Sequence, residues 1–544
     1  MMRATFFGLE IGKTGLTLSQ LGLDVTGHNI ANVDTRGYTR QRIVSTAYDP
    51  YATIGRALPV NQAHVGGGVR VKILDQIRSA YLDRRYRTEN TVNSYWQKRT
   101  EGMRYLESYF DNVNEETSIN YSIARFFQAM KVLAEDTVEG APRTLLQTAG
   151  KDLAQQLNII YQGLVDLQET QDKAVTVTVD QINRIADEIA QLNKAIYGFE
   201  ITGHIANDLR DKRNDLLDEL SGFIDIEYRD YPDGKGNTKF EVSIGGKVLV
   251  DHVDTWKLGV TEMDNPISEF GTTGRALVWE PVWMKYDPTT NEFIPDRAKP
   301  LVIKGGELKA YLDLRDGNGV DGNSKGIPYY LEMMNNLARA LIQEINAVHR
   351  EGYNDHPVEG STNGIDFFWA KDENGDYYTI DLNDPANLDL VTAGNICLSK
   401  LVEDNAYNVA CSSVQIVKKG EPHELQRGNN EIMNALYALF LKKDISLGDA
   451  LTDGVSIGSF DGYATSIRFD VGNTLNSSIK TSENSNTLTI AAENQRVSVS
   501  GVSLDEEMTN LIKYQHAYNG AARVITAMDD ALDRLINGTG RVGL

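Results

Sequence analysis

The sequence predicts a multidomain α+β protein, in which terminal coiled-coil helices adjoin a long helical-bundle rod with two inserted β-rich modules. Three patterns support this fold class. Both ends of the 544-residue chain carry apolar residues at helical spacing, all 13 prolines lie between Pro50 and Pro422, and two strand–turn–strand patterns fall within that middle region. Because proline interrupts helices, its absence from both ends favours helical ends around a partly non-helical centre.

The N-terminal region shows a seven-residue apolar period, which is typical of a coiled-coil seam. Gly8, Gly15 and Gly22 repeat by seven as well, and a face of small residues lets another backbone approach closely. Each glycine costs ~0.8–1 kcal/mol relative to alanine inside a helix, so we expect this helix to depend on its neighbours for order. The apolar positions are Leu9, Leu16, Leu23 and Ile30 in one row, Ile11, Leu18 and Val25 in another, and Leu21 beside them.

The C-terminal region predicts a helix from Leu504 to about Asn537, with an apolar stripe that advances by steps of four and three. Ser503 and Glu506 fit a capping box at its start, and Gly538 provides a stop. We expect the two ends to pair as an antiparallel coiled coil and to pack against neighbouring copies. The stripe contains Leu504, Met508, Leu511, Tyr518, Ile525, Leu532 and Ile536.

The middle of the chain alternates between helical and strand-like patterns. Gly245-Gly246 between residues 240–244 and 247–250 predicts a β-hairpin, and Asn374-Gly375 between 367–370 and 377–380 predicts another. A short strand is predicted at 69–73. Helical stripes cover about 79–110, 119–133, 143–197, 207–220 and 327–350.

These patterns predict four domains. The expected divisions are a terminal coiled-coil domain of residues 1–65 plus 500–544, a helical rod of 66–225 plus 321–351 plus 429–499, a β-rich module of 226–320, and an outer β-rich module of 352–428.

Composition excludes several classes of function. A net charge of −22 argues against a nucleic-acid binder or a ligand of anionic membranes. Two cysteines, Cys397 and Cys411, are too few for a disulfide framework. The sequence contains no run of eighteen apolar residues, so no membrane-spanning helix is predicted. Glu10 and Lys13 interrupt what would be the apolar region of a signal peptide.

The sequence predicts no catalytic residue, no cofactor and no metal site. Gly454-Val-Ser456-Ile-Gly458 matches a nucleophile elbow but lacks the buried strand that precedes one. Asp372, Asn374 and Asp376 share spacings with a calcium loop, but Tyr377 stands where that loop requires glycine, so a simple turn is the preferred interpretation.

Two alternatives to a structural role stay open at this point. A secreted cell-wall or glycan hydrolase with helical anchoring ends would need paired carboxylates in a cleft, and no pair can be identified in 226–428. An adhesin would instead expose the tryptophan-rich β modules to a cell surface.

Residues 28–41, His-Asn-Ile-Ala-Asn-Val-Asp-Thr-Arg-Gly-Tyr-Thr-Arg-Gln, resemble the N-terminal signature of the bacterial flagellar rod, hook and hook-associated protein family. Residues 503–518 resemble the C-terminal helix of that family. Two interior stretches, 207–220 and 308–352, are similar to the members that join the hook to the filament. The resemblance, rather than intrinsic propensity, predicts a helix in the polar stretch 467–499.

The resemblance implies a non-enzymatic structural protein of the extracellular flagellum, exported through the type III channel without a cleaved signal peptide. It implies self-association in a ring or helical array, with hook protein on one side and hook-associated protein 3 on the other. An export chaperone is expected on the C-terminal region. The expected assembly interface comprises the apolar residues given above for both ends together with Asn29, Asn32, Gly37 and Tyr38.

Overall fold

The fold was analysed in a computed structural model of the chain. The structure describes residues 7–48, 66–110, 118–203, 205–234, 238–265, 277–288, 292–320, 324–355, 361–372, 374–415, 428–447 and 457–537. Across this described part of the chain, each helix is either too short or too polar to span a bilayer.

Helices dominate the structure and include every helix predicted from periodicity. They are α1 (Phe7–Ala31), α2 (Ala80–Phe110), α3 (Ile119–Glu135), α4 (Gly140–Glu200), α5 (Asn207–Phe223), α6 (Glu307–Asp316), α7 (Ile327–His349), α8 (Lys400–Asp404), α9 (Glu431–Leu441), α10 (Phe460–Ser500) and α11 (Leu504–Asn537). The fold class predicted from the sequence, multidomain α+β, is confirmed.

The strands form small antiparallel sheets. They are β1 (Gln41–Ala47), β2 (Val69–Gln76), β3 (Glu227–Pro232), β4 (Thr238–Ile244), β5 (Lys247–Asp251), β6 (Asp254–Thr255), β7 (Leu258–Asp264), β8 (Leu277–Asp287), β9 (Glu292–Pro300), β10 (Phe368–Ala370), β11 (Ile396–Leu398), β12 (Ile445–Ser446) and β13 (Ile457–Gly458). The sheet orders are β1-β2, β3-β4-β5-β6, β7-β8-β9, β10-β11 and β12-β13.

Helix α4 has 61 residues and is the longest element. At 1.5 Å per residue it extends for ~90 Å. Its apolar stripe buries Leu153, Leu157 and Leu164 in one core, and Ile182 and Ile189 in a second core. The helix therefore runs through both cores and joins them with one continuous backbone.

The two cores are built from different parts of the chain. The first gathers α3, α7, α9, the second half of α2, the start of α10 and residues 365–411. The second gathers α5 and strands of the β3–β6 and β7–β9 sheets against α4. The four predicted domain divisions stay a prediction, but residues 365–411 share a core with the helical bundle.

The predicted hairpin at 240–250 is confirmed. Strands β4 and β5 pair in an antiparallel manner, with Ile244 opposite Lys247. Gly245 and Gly246 lie at the turn with φ of 55° and 80°, a left-handed conformation that glycine adopts without steric cost.

The predicted hairpin at 367–380 is wrong. Phe368–Ala370 pairs instead with Ile396–Leu398, and residue 377 contributes only an isolated bridge to Lys371. Asp372 closes a local turn by accepting hydrogen bonds from the N–H groups of Asn374 and Asp376. In residues 352–428 the described strands are two of three residues each, so the predicted strand content of this segment is too high.

Ile365 and Ala410 are fixed to the helical bundle by His349, which ends α7. Its Nδ1 lies 2.7 Å from the carbonyl oxygen of Ile365, and its Nε2 accepts the N–H of Ala410 at 2.9 Å. These partners require a neutral ring protonated on Nδ1, because a carbonyl can only accept and an amide N–H can only donate. Burial lowers the pKa of His349 to about 4.

We expect this histidine to make the protein less stable in acid. The unfolded chain takes up the proton near pH 6.5, whereas the folded chain resists it until about pH 4. His349 should therefore cause no change of the free energy of unfolding with pH above 6.5, and should lower that free energy by roughly 3 kcal/mol between pH 6.5 and 4. Urea unfolding at a series of pH values measures this change.

The matched variant for this prediction is His349→Gln, whose side-chain amide can donate and accept but does not titrate. The parent should lose more stability than the variant as pH falls from 7 to 4. Parallel pH profiles for the two proteins would contradict the prediction.

Candidate assembly site at the paired termini

Helices α1 and α11 lie against each other in antiparallel order, and we call them the terminal pair. Gly8, Gly12, Gly15 and Gly22 of α1 face α11; a Cβ built on Gly12, for example, would lie 2.8 Å from Ile525 Cγ1. The antiparallel order follows from the opposed residues, which are Gly8 with Met528, Gly12 with Ile525, Gly15 with Ala521 and Gly22 with Tyr514. The predicted face of small residues is thus the line of closest approach.

The deepest stripe of α1 is small and polar, and the leucine rows flank it. The buried residues are Gly12, Ser19, Gly22, Thr26 and Asn29. The predicted interface residues Leu9, Ile11, Leu16, Leu18, Leu21, Leu23, Val25 and Ile30 are only half-buried. The seven-residue period predicts that the leucine rows form the seam. Glycine takes that place, because it alone allows the two backbones to come so close.

The predicted apolar residues of α11 fall into two groups. Leu511, Tyr518, Ile525 and Leu532 recur every seven residues and are half-buried. Leu504, Met508 and Ile536 are exposed, with 49%, 51% and 71% of their surface accessible. Gly538, the predicted stop, lies outside the described residues. The structure therefore leaves a large part of the apolar surface of α11 in contact with solvent.

A polar cluster closes one end of the terminal pair. Asn29 is buried, donates to the Gln41 carbonyl at 2.9 Å and to Glu507 at 3.0 Å, and accepts the N–H of Gln41 at 3.0 Å. Arg40 donates from Nε to Glu507 at 2.8 Å and forms an ion pair with Glu506 at 2.5 Å. Charge-assisted bonds of this kind are among the stronger hydrogen bonds in proteins. The loop after α1 is thereby tied to the first turn of α11.

The other predicted polar positions order the loop itself. Asn32 donates to the His28 carbonyl at 2.9 Å, which closes the end of α1. Gly37 has φ of 76°, a left-handed conformation. Tyr38 donates to Asn29 at 2.7 Å, and burial with nearby carboxylates raises the pKa of its hydroxyl, so Tyr38 stays a neutral donor.

Sequence reasoning missed the surface that receives this loop. Asp208, Asp211 and Asp215 lie on α5, and we call them the Asp row. Asp211 accepts from the Thr39 hydroxyl at 2.7 Å and from the Thr39 N–H at 3.0 Å. Their spacing of three and four places them along one side of the helix, and this spacing was the signal available in the sequence.

The remaining members of the Asp row contact this loop and the first residue of β1. Asp208 accepts from Gln41 Nε2 at 3.0 Å, and Asp215 lies 3.3 Å from Arg36. Burial raises the pKa of Asp211 above its usual range, although Thr39 and Arg78 oppose the shift. The loop between α1 and β1 thus rests on a line of carboxylates.

The described residues of the site are held together by hydrogen bonds and ion pairs between separate elements. Among the described residues, no group of three or more His, Cys, Asp or Glu side chains could hold a metal ion. Ser456, the serine of the elbow-like sequence, lies outside the described residues. Arg36 and Arg40 both form ion pairs with other elements, Arg36 with Asp215 of α5 and Arg40 with Glu506 of α11.

Three family descriptions match the chain. "Flagellar hook-associated protein FlgK helical domain" matches residues 103–368. "Flagella basal body rod protein" matches residues 9–39, and "Flagellar basal body rod FlgEFG protein C-terminal" matches residues 493–538. The two shorter matches fall on the terminal pair and the loop after α1.

The relatives extend over nearly the whole chain. A protein named flagellar hook-associated protein 1 from Bacillus subtilis (strain 168) is 28% identical, with 99% of each chain covered. The protein of the same name from Escherichia coli (strain K12) is 25% identical, covering 96% of this chain and 98% of its own. A solved structure of the flagellar hook junction protein FlgK from Burkholderia pseudomallei is similar in fold, with a TM-score of 0.54 and 14% identity, covering 78% of this chain and 100% of its own.

Proposed function

The chain belongs to the flagellar hook-associated protein 1 family, and from this membership we propose that its terminal pair carries its assembly into the hook–filament junction. It is a structural component of the bacterial flagellum at that junction. The hydrolase and adhesin alternatives have no support among these relatives. We infer a role without catalysis.

The observation that carries the proposal is the uncovered apolar surface of the terminal pair. In a single subunit, 51% of the surface of Met508, 51% of that of Ile512 and 71% of that of Ile536 faces solvent. Fully burying one such side chain contributes ~1.5–3 kcal/mol. Several of these residues on each copy, buried between stacked copies, would supply the main free energy of assembly.

The partners follow from the position of the junction. We propose a ring or helical array of copies, with hook protein on one side and hook-associated protein 3 on the other. We also propose that an export chaperone binds the C-terminal region, and that the chain reaches the extracellular flagellum through the type III channel without a cleaved signal peptide.

The test replaces Leu511 with aspartate. A carboxylate at this half-buried position of α11 should be strongly unfavourable in an assembled array, because burying a charge without a partner costs several kcal/mol. The rest of the molecule should stay folded, since Leu511 belongs to neither apolar core. In cells lacking the parent protein, we expect Leu511→Asp to abolish filament attachment and swimming.

The control is Thr509→Asp, which places a carboxylate on an exposed position of the same helix. Circular dichroism and thermal unfolding check that both variants fold like the parent. Normal motility with Leu511→Asp would overturn the proposal.

A further inference from the structure

The terminal pair meets the rest of the molecule through polar contacts. We call the described part of residues 80–500, from α2 to α10, the body. Among the described residues, neither apolar core contains a side chain of α1 or α11. Packing of a shared core therefore does not fix the direction in which the terminal pair leaves the body, and other contacts must do so.

The loop after α1 is held against the Asp row of α5, and Asp211 binds Thr39 of this loop through two hydrogen bonds. Besides Thr39, Asp211 accepts from Gln76 Nε2 at 2.9 Å, and one oxygen lies 3.5 Å from Arg78. Only 6% of Asp211 is exposed. A buried carboxylate with several donors holds each of them in a defined position, because every lost bond would leave a buried polar group unsatisfied.

From Asp211 the contacts run to both helices of the terminal pair. Thr39 is followed by Arg40, whose N–H donates to the Ser500 carbonyl at 2.9 Å and whose side chain binds Glu506 and Glu507. Glu507 in turn accepts from Asn29 of α1. Fixing Thr39 on α5 therefore also fixes the residue that holds the first turn of α11.

The surroundings leave room for the pair to take other directions. A cavity of about 320 Å³ lies beside the loop, between residues 33–39, α5 and the end of α10. Gly501, Val502 and Ser503 are the short link between α10 and α11. Movement at this link and in the loop would change the angle of the pair without separating α1 from α11.

We propose that Asp211 is a positioning residue that sets the direction of the terminal pair relative to the body. This inference rests on the proposed function, because the direction of the pair decides whether its apolar surfaces meet those of neighbouring copies. Loss of the Asp211 contacts frees the pair to swing as one unit while its own helices stay together.

The experiment measures two distances in the full chain by pulsed electron paramagnetic resonance. Spin labels at Asp180→Cys and Lys513→Cys report the position of the pair relative to the body. Labels at Gln20→Cys and Lys513→Cys report the distance within the pair. All three label sites are exposed, and Cys397 and Cys411 are replaced by alanine in every protein.

The test variant is Asp211→Ala, and its matched control is Glu219→Ala, which removes an exposed carboxylate from the same helix. We expect Asp211→Ala to widen the body-to-pair distance distribution at least twofold and to leave the distance within the pair unchanged. Incorporation into flagella should fall at least tenfold. Glu219→Ala should match the parent in all three measurements.

A second variant removes one of the Asp211 contacts from the other side. Thr39→Ala deletes the hydroxyl that donates to Asp211 and decides the test if Asp211→Ala does not fold. Body-to-pair distributions as narrow as the parent's in the folded variant would overturn the inference, as would a change in the distance within the pair. Normal incorporation of Leu511→Asp would instead overturn the proposed function, so the two failures are distinguishable.

Discussion

Replacing Gly22 by leucine is expected to force the terminal helices apart and to abolish incorporation into flagella. Even the first side-chain carbon would lie 2.4 Å from Cδ1 and 2.6 Å from Cγ of Tyr514, well inside van der Waals contact. The ring cannot move away easily, because Cγ is anchored close to the backbone. Distance measurements between labels on α1 and α11, together with counts of filament-bearing cells, check the expectation.

Gly15→Ala is the matched control for this prediction. A Cβ at this position would lie 3.6 Å from Ala521 Cβ, which is an ordinary contact. Alanine also favours the helix by ~0.8–1 kcal/mol relative to glycine. We expect this variant to assemble at least as well as the parent. If Gly22→Leu assembled equally well, the close antiparallel contact would be excluded.

Replacing Arg315 by alanine is expected to lower the free energy of unfolding by ~3–5 kcal/mol. Arg315 is fully buried between the two cores and donates to Asp172 of α4 at 2.8 Å and to the Trp279 carbonyl at 2.6 Å. Its Nε also binds Asp316 at 2.6 Å. Alanine would remove the positive charge that compensates the carboxylate of Asp172, only 1% of which is exposed. Urea unfolding monitored by circular dichroism measures the loss.

The control for Arg315 is Arg184→Ala, which removes an arginine from an exposed part of α4. Arg184 is 59% exposed and pairs with Glu188 at 3.0 Å. Exposed ion pairs contribute little, so its loss should change stability by about 0.5 kcal/mol or less. Equal losses in the two variants would show that the buried position of Arg315 has no special importance.

Periodicity predicted the helices that bury a continuous apolar stripe, and α4 is the clearest case. It could not predict α10, because the residues that this helix buries include Ser478, Ser485 and Thr489. Such residues fit a close helix contact but produce only a faint apolar pattern. Family resemblance supplied that helix instead.

Local turn signals failed where the strand partner is distant in sequence. Asn374-Gly375 does form a tight turn, but the partner of Phe368–Ala370 is Ile396–Leu398. No local pattern distinguishes a turn that joins paired strands from one that does not. The hairpin at 240–250 was predicted correctly because its two strands are adjacent in the sequence.

Only part of the candidate site, the end of α1 and the loop after it, could be predicted from the sequence. The sequence singled out Asn29 and Tyr38, but not the carboxylates that surround them, since Asp211 and Glu507 lie far along the chain. The regular spacing of the Asp row on α5, and the position of Glu507 at the start of α11, gain significance only from the contacts made with them by Thr39 and Asn29.

The bond between Asn29 and Glu507 joins residues 478 positions apart in the sequence. During synthesis α1 is made long before α11, so α1 stays without its partner until that helix follows. Closing so long a loop is costly in entropy until the intervening chain has condensed. The two ends should therefore come together last during folding and separate first during unfolding, which keeps them available for exchange with other subunits until a growing structure captures them.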